Sequence, residues 1–369
     1  MTIEDEYYVL IILNTKEKGM YSTYIRDKTM FCSPKGVTED IRQALKFGSI
    51  MAARLYKGMK NWKALFLCMS KTQLHFRRTY MTRADLRLIQ DIRNIMNNGT
   101  MDENPRPRYS DGTPAHTKFV NHVVRTYDLS KEFPICSLRP IAWKTAIKEI
   151  FWIYKDASNS LDVLRNKYNI HYWDDWESVM IPETIGIRYG ATVKKYDLLN
   201  KLITDIKKNP YGRRHIISLW QENDFDESDG LAPCAFLTIW NVRGEYLDMC
   251  LIQRSGDMLT ASGAGGINEV QYACLQMMVA KATGYKPGKF THFVANEQIY
   301  TRHFDAANEL LRRASEQKIE SNSQYDYEFE PVKMNFNPKS DNFYDFSIED
   351  FSLENYNSIK PQIKLELGI

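Results

Sequence analysis

The chain carries little net charge, few histidines and no clustered cysteines. Its 49 lysines and arginines stand against 46 aspartates and glutamates, a formal charge of +3 over 369 residues. No global field therefore calls for nucleic acid or an anionic membrane surface as partner. Six cysteines (Cys32, Cys68, Cys136, Cys234, Cys250 and Cys274) never fall at C-x-x-C or C-x-H spacing, which argues against a zinc site or a disulfide framework and fits a reducing cytoplasm. The 7 histidines are dispersed without ligand spacing, so no metal is expected. No apolar run approaches membrane-spanning length, and the opening "MTIEDEYYVL" is acidic where a signal peptide is basic. Repeats and low-complexity tracts are missing, and the glycines of "TASGAGGIN" match neither G-x-G-x-x-G nor a loop ending in GK[ST].

What is present is material for a large core: 43% hydrophobic and 12% aromatic residues, enough for one large domain or a large and a small one. "YYVLIIL" and "ALFLCMS" read as strands flanking a helical pattern over 38–59 with Thr38 as its N-cap, a small α/β unit. The helix "TRADLRLIQDIRNIMNNG" opens on a Thr82/Asp85 capping pattern, carries Leu86, Ile89, Ile92 and Met96 on one face, and ends at Gly99. A domain boundary is placed near residue 82, so residues 1–82 form a small N-terminal domain. "MDENPRPRYSDGTPAH" is loop, and "KFVNHVVRTYDL" a strand. The helix over 141–155 is apolar nearly all round and hence buried. "DLLNKLITDIKKNP" is an amphipathic helix. "RRHIISLW", "FLTIWNV" and "EYLDMCLIQRS" are strands, followed by the long helix "EVQYACLQMMVAKATGY", the strand "FTHFVANEQIY", and a polar, aromatic stretch over 320–346 of short strands and loops. The mixture lacks regular βαβ alternation and predicts an α+β fold.

Several residues could carry chemistry. Cys234 in "LAPC" is either a buried thiol opening a strand or a nucleophile. Glu149 lies on the apolar helix, either at a wet edge paired with Lys144 or Lys148, or as a buried acid with a raised pKa. Trp173 and Trp176 in "YWDDW" are core aromatics or a stacking platform. Arg213 and Arg214 are two solvated charges or a pair converging on one anion, and Arg254, Ser255 and Asp257 end a strand.

Taken in order, "SDGTPAHT", "FPICSLRPIAWKTAIKEIFWIY", "YWDDW", "YGRRHIISLW", "LAPC", "QRSGDM", Asn268 before "VQY", "QIYTRH" and the tail "YDFSIEDFSLENY…PQIKLELGI" resemble the thymidylate synthase family over residues 83–369. The resemblance implies an α+β catalytic domain with a mixed sheet and buried helices; the small α/β unit of 1–82 that precedes it has no counterpart in the family. It implies that Cys234 attacks carbon 6 of dUMP, so that carbon 5 takes a one-carbon unit from 5,10-methylenetetrahydrofolate, with dTMP and dihydrofolate as products. On the same resemblance Arg254, Arg108 (or Arg106), Arg213 and Arg214 hold the phosphate, the last two across a homodimer interface. Ser255 and Asn268 contact the nucleotide, and asparagine favours uracil over cytosine. Glu149 and Tyr189 serve proton relay near the cysteine. Asp257 contacts base and folate, Tyr300 and Gln298 the sugar, and Trp173, Trp176, Arg139 and the tail ending at Ile369 the folate. Four departures from the family pattern stand out: Gln298 where the family has histidine, Ala235 after the cysteine, Arg139 where lysine is common, and a longer, glycine-rich 260–268 loop. They leave a dUMP hydroxymethylase, with tetrahydrofolate leaving unoxidised, as the alternative. A binding protein that has lost catalysis is a third reading.

Overall fold

The computed structural model describes residues 81–316, 331–366 and 368, together with the strands of the N-terminal region. The chain divides into two compact units, Met1–Thr79 with Lys318–Phe329, and Tyr80–Gln317 with Glu330–Ile369.

In the first unit β1 (Glu6–Leu13) pairs antiparallel with β2 (Thr29–Ser33), β4 (Lys46–Phe47) and β5 (Ala64–Ser70), and β2 pairs with β3 (Gly36–Thr38). The strands at 7–13 and 64–70 lie where the apolar runs put them. The single helix expected over 38–59 is corrected at Lys46–Phe47, which form β4. Phe47 pairs with Tyr8, so no single helix spans 38–59; Thr38 closes β3, and the residues after it that would show whether it caps a helix lie outside the described residues. Sheet pairing outweighs the weak local helical preference there. The rest of that stretch lies outside the described residues.

The second unit opens with α1 (Arg83–Asn98). Thr82 Oγ1 accepts from the Asp85 amide while the Asp85 carboxylate accepts from the Thr82 amide, the reciprocal box expected from the sequence. Its buried face is Leu88, Ile89, Ile92 and Ile95; Leu86 and Met96 sit at its margins and are half-exposed.

The central sheet runs β6 (Thr100–Met101), β7 (Thr117–Asp128), β12 (Lys286–Tyr300), β10 (Tyr246–Gln253), β9 (Ala235–Arg243), β8 (Ile216–Ser218), with β11 (Gly256–Asp257) also on β12. β10 and β11 run parallel to β12 and the other pairings are antiparallel, so the sheet is mixed as the α+β reading requires. Two helices lie buried: α2 (Trp143–Ile150), continued by a π-turn over Phe151–Lys155, and α7 (Ile267–Thr283), buried from Glu269 almost to its end. Between them in sequence come α3 (Leu161–Tyr168), α4 (Gly190–Tyr196), α5 (Leu198–Lys208) and α6 (Glu222–Glu227); α8 (Phe304–Glu316) and the hairpin β13 (Lys333–Phe336)–β14 (Phe351–Glu354) follow.

One irregularity positions the site. Along β9 and β10, Leu251 faces Thr238 and Ile252 faces Leu237, but Gln253 faces Ala235. Phe236 is the extra residue of a bulge. Ala235 and Thr238, three apart, consequently both lie on the buried face, and the bend brings the end of β10 beside Cys234.

Candidate active site

Cys234 lies just before β9 and is half-buried. The Arg254 guanidinium folds back over the "APC" turn. Its Nη2 donates to the Ala232 carbonyl at 2.8 Å and reaches Cys234 Sγ at 3.4 Å, and its Nε donates to the Pro233 carbonyl at 3.0 Å. Backbone pairing of Arg254 N with Cys234 O at 2.9 Å holds the two strand ends together. Burial pushes the thiol up from its ordinary pKa, and Arg254 pulls against that shift.

The Cys234 amide donates to Tyr189 Oη at 3.2 Å. Tyr189 precedes α4 with φ +47°, a left-handed value that is strained for a tyrosine. The next residue must be Gly190, since a Cβ there would stand 2.1 Å from the Ser158 carbonyl oxygen. The Tyr189 ring meets Trp173 edge-on at 5.3 Å, and Trp173 meets Trp176 at 5.6 Å. Trp173 is buried and Trp176 half-exposed, so only Trp176 offers its ring to solvent.

Glu149 is buried on α2 and pairs with neither Lys144 nor Lys148, which overturns the wet-edge reading. Its carboxylate accepts from Trp173 Nε1 at 2.8 Å, from Gln271 Nε2 at 2.6 Å and from Tyr172 Oη. Burial raises its pKa and these three hydrogen bonds hold it back. Gln271 in turn accepts from Asn268 at 3.0 Å, and Asn268 Oδ1 accepts from Gln253 Nε2 at 3.2 Å. An unbroken series of contacts thus joins Arg254, Cys234, Tyr189, Trp173, Glu149, Gln271 and Asn268. Ser255 joins it through its carbonyl, which accepts from Gln253 at 3.0 Å.

A second group gathers at the β11–β12 pairing, where Asp257 is opposite Gln298. The Asp257 carboxylate accepts from Thr260 and lies 4.0 Å from His303 Nδ1; burial raises its pKa and His303 opposes. Arg139 is buried, donates to the Leu259 carbonyl and feels the Asp257 charge. Tyr300 stacks edge-on with His303 at 5.5 Å. Gln298 Oε1 accepts from Thr117 at 3.4 Å. The C-terminal segment lies over this group: the His303 ring meets the Glu366 carbonyl at 2.7 Å, and Arg302 bridges Glu366 and Asp111 at 2.8 and 2.6 Å. Ile369 lies outside the described residues.

The remaining arginines stand apart. Arg108 is exposed and donates to the Gly112 carbonyl at 3.1 Å; Arg106 is exposed too. Arg213 and Arg214 are exposed beside an open depression of about 490 Å³ lined also by Lys208 and Tyr211, and neither pairs with an acid among the described residues. Sequence reasoning missed Tyr172, Gln253 and Gln271. The i, i+3 spacing of Asn268 and Gln271 on α7 was the available signal for the last. Among the described residues there is no cluster of metal-ligating side chains, and no helix is long and apolar enough to cross a membrane.

A thiol beside a fixed guanidinium is thus linked through aromatic and amide groups to a buried carboxylate, an arrangement able to support nucleophilic chemistry. Residues 87–369 match the family model for thymidylate synthase. Curated thymidylate synthases of Streptococcus pneumoniae strain 70585 and Streptococcus sanguinis strain SK36 are 51% and 49% identical over 294 residues, in each case 78% of this chain and 100% of the relative. A solved structure of thermostable thymidylate synthase A from Bacillus subtilis superposes with a TM-score of 0.67 at 34% identity, over 78% of this chain and 99% of that one. The chain belongs to the thymidylate synthase family and is a transferase of that type.

Proposed function

We propose that the chain converts dUMP to dTMP, with Cys234 as nucleophile. The observation that carries the reading is the Arg254 guanidinium 3.4 Å from Cys234 Sγ, a permanent cation where a thiolate must form. The Cys234 thiolate adds to carbon 6 of the uracil ring and the electron pair moves onto the carbon 4 oxygen. Carbon 5 is thereby nucleophilic and bonds the one-carbon unit. Loss of the carbon 5 proton as the methylene–nitrogen bond to the folate breaks leaves an exocyclic methylene, and hydride addition to that methylene expels the Cys234 thiolate from carbon 6 and restores the ring. Methylenetetrahydrofolate supplies both the one-carbon unit and the hydride, leaving as dihydrofolate.

The chain's own residues do the rest. Arg254, Ser255 and Arg108 hold the phosphate, joined by Arg213 and Arg214 of a second copy in a homodimer. The exposure of that pair, neither of which is ion-paired among the described residues, on a depression that also carries Lys208 and Asp205 supports an anion-binding role across an interface. Asn268 reads the uracil edge, because an amide both donates and accepts. Glu149 and Tyr189 relay protons, and Gln298 and Tyr300 face the sugar. Asp257, Arg139, Trp173 and Trp176 form the folate side. The buried acid and the half-exposed indole suit a flat heteroaromatic with hydrogen-bond donors, and the tail through Ile369 excludes water. Residues 83–369 are the catalytic domain, residues 1–82 a separate N-terminal domain, and the enzyme works in the cytoplasm.

The test is turnover of dUMP and methylenetetrahydrofolate by the full chain, with dihydrofolate followed by absorbance and the nucleotide by mass. A methylated nucleotide with one dihydrofolate per product is expected. A hydroxymethylated nucleotide without dihydrofolate would replace the synthase reading by water capture. A monomer by light scattering at micromolar concentration would remove the cross-subunit role of Arg213 and Arg214.

A further inference from the structure

Asn268 sits in a run of side-chain hydrogen bonds that begins and ends on a carboxylate. From Glu149 it passes through Gln271, Asn268 and Gln253. It continues where Gln253 Oε1 meets His292 Nε2 at 3.0 Å, and ends where His292 Nδ1 meets Glu269 Oε1 at 3.2 Å. His292 and Glu269 are wholly buried.

The direction of this chain is fixed by groups that cannot change role. Gln253 Nε2 lies 3.0 Å from the Ser255 backbone carbonyl, which only accepts. Turning the Gln253 amide over would aim its oxygen at that carbonyl and at Asn268 Oδ1. Gln253 therefore donates toward Asn268 and offers its own oxygen to His292, so His292 Nε2 carries a hydrogen. His292 Nδ1 faces a carboxylate oxygen, and a lone pair there would repel it. One further proton lies between Nδ1 and Glu269 Oε1.

The surroundings accommodate that proton. Arg125 stands 3.6 Å from Glu269, 2.7 Å from Glu297 and 2.7 Å from Asp91, so three acids surround one arginine and one imidazole. Burial and the Arg125 charge hold the His292 pKa below its ordinary value although Glu269 opposes them; the demand for a hydrogen at Nε2 comes from the fixed direction of the amide chain. An imidazolium here is a matched charge within an acid-rich cluster.

We propose that His292, with Glu269, is the positioning residue for pyrimidine recognition. The Ser255 carbonyl and the Glu149 carboxylate set the direction of the Gln253–Asn268–Gln271 chain, and the His292 Nε2–H pins the free Gln253 oxygen so that the chain is held where Asn268 offers oxygen to N3–H of uracil and N–H to O4. Cytosine has donor and acceptor exchanged along that edge and meets two mismatched contacts, which a buried polar site rejects strongly. The inference rests on the uracil nucleotide reading above.

The experiment has two arms. In full-length protein labelled with 15N-histidine, two-bond proton–nitrogen spectra report each ring's protonation. His292 is assigned by its loss in His292→Gln. The expected result is a protonated Nε2; a bare Nε2 with hydrogen on Nδ1 alone overturns the proposal whatever the substrate is. In calorimetry, His292→Phe is expected to lower the ratio of dCMP to dUMP dissociation constants about tenfold, the worth of one hydrogen bond. His292→Gln, which can return a donor toward Gln253, is expected to recover part of it. A ratio unchanged in His292→Phe while both affinities fall together means a structural role only and overturns the proposal. A wild-type protein that binds no dUMP would sink the uracil reading and leave the spectroscopic arm standing.

Discussion

Cys234 and Cys274 are the same side chain in two regions of one molecule. Cys274 sits in the middle of α7, wholly buried, with burial pushing its thiol well up. Cys234 sits at a strand end, half-buried, with a guanidinium against its sulfur. The carboxylates repeat the contrast. Glu149 is satisfied by three neutral donors at the site, whereas Glu297 faces Arg125 and Ser262 deep behind it. What separates the proposed reacting groups from the packed ones here is which neighbour compensates their burial.

The contrast is broken most severely at the nucleophile. Cys234→Ser is expected to lower turnover by about three orders of magnitude or more with little change in thermal stability, checked by steady-state assay beside a melting curve. Activity within tenfold of wild type would erase the distinction between the two thiols. Glu149→Gln is expected to cost about 100-fold in kcat and less in KM, and to change the pH profile of kcat, because a proton relay is lost while the shape stays. A loss confined to KM would make Glu149 a binding group.

The buried side sharpens the comparison through stability. Burial pushes Glu297 up to about 7 from 4.5. The folded state then binds more protons than the unfolded chain, so this group's contribution to stability falls as pH rises from about 4.5 to about 7. Urea unfolding at pH 5 and pH 8 is expected to show a loss of about 3 kcal/mol in wild type relative to Glu297→Gln. Smallest in size, Cys274→Ser places an uncompensated hydroxyl among apolar neighbours and is expected to cost about 1–3 kcal/mol with turnover intact. A Cys274→Ser enzyme that is inactive yet folded would mean that the region behind the site takes part in the chemistry.

Much of the site was legible because its chemistry is local in sequence. The capping box at Thr82, the buried run over 141–155 and the strand before "QRSGD" each announce themselves within a few residues. The linking amides do not. Gln253, Asn268, Gln271 and His292 come from β10, α7 and β12, and only folding brings their polar atoms within 3.2 Å of one another. No period marks such a chain, since each member reads as an ordinary polar residue on its own element. Glu149 was ambiguous for the same reason: its neighbours in sequence are lysines, but its partners are Tyr172, Trp173 and Gln271. The helix over 38–59 failed as one element because the pairing of Phe47 with Tyr8 is a long-range fact.

The bulge at Phe236 has a consequence for how the strand tolerates changes in length. Along β9, loss or gain of one codon between Thr238 and Val242 would reverse which side chains face inward, turning Trp240 or Thr238 out of the core. At Phe236 the alternation is already offset, so a single-residue deletion there keeps Ala235 facing in on the same side as Thr238, at the cost of the local bend. The strand therefore has one position where evolution can alter its length without inverting its faces, and that position is two residues from the nucleophile.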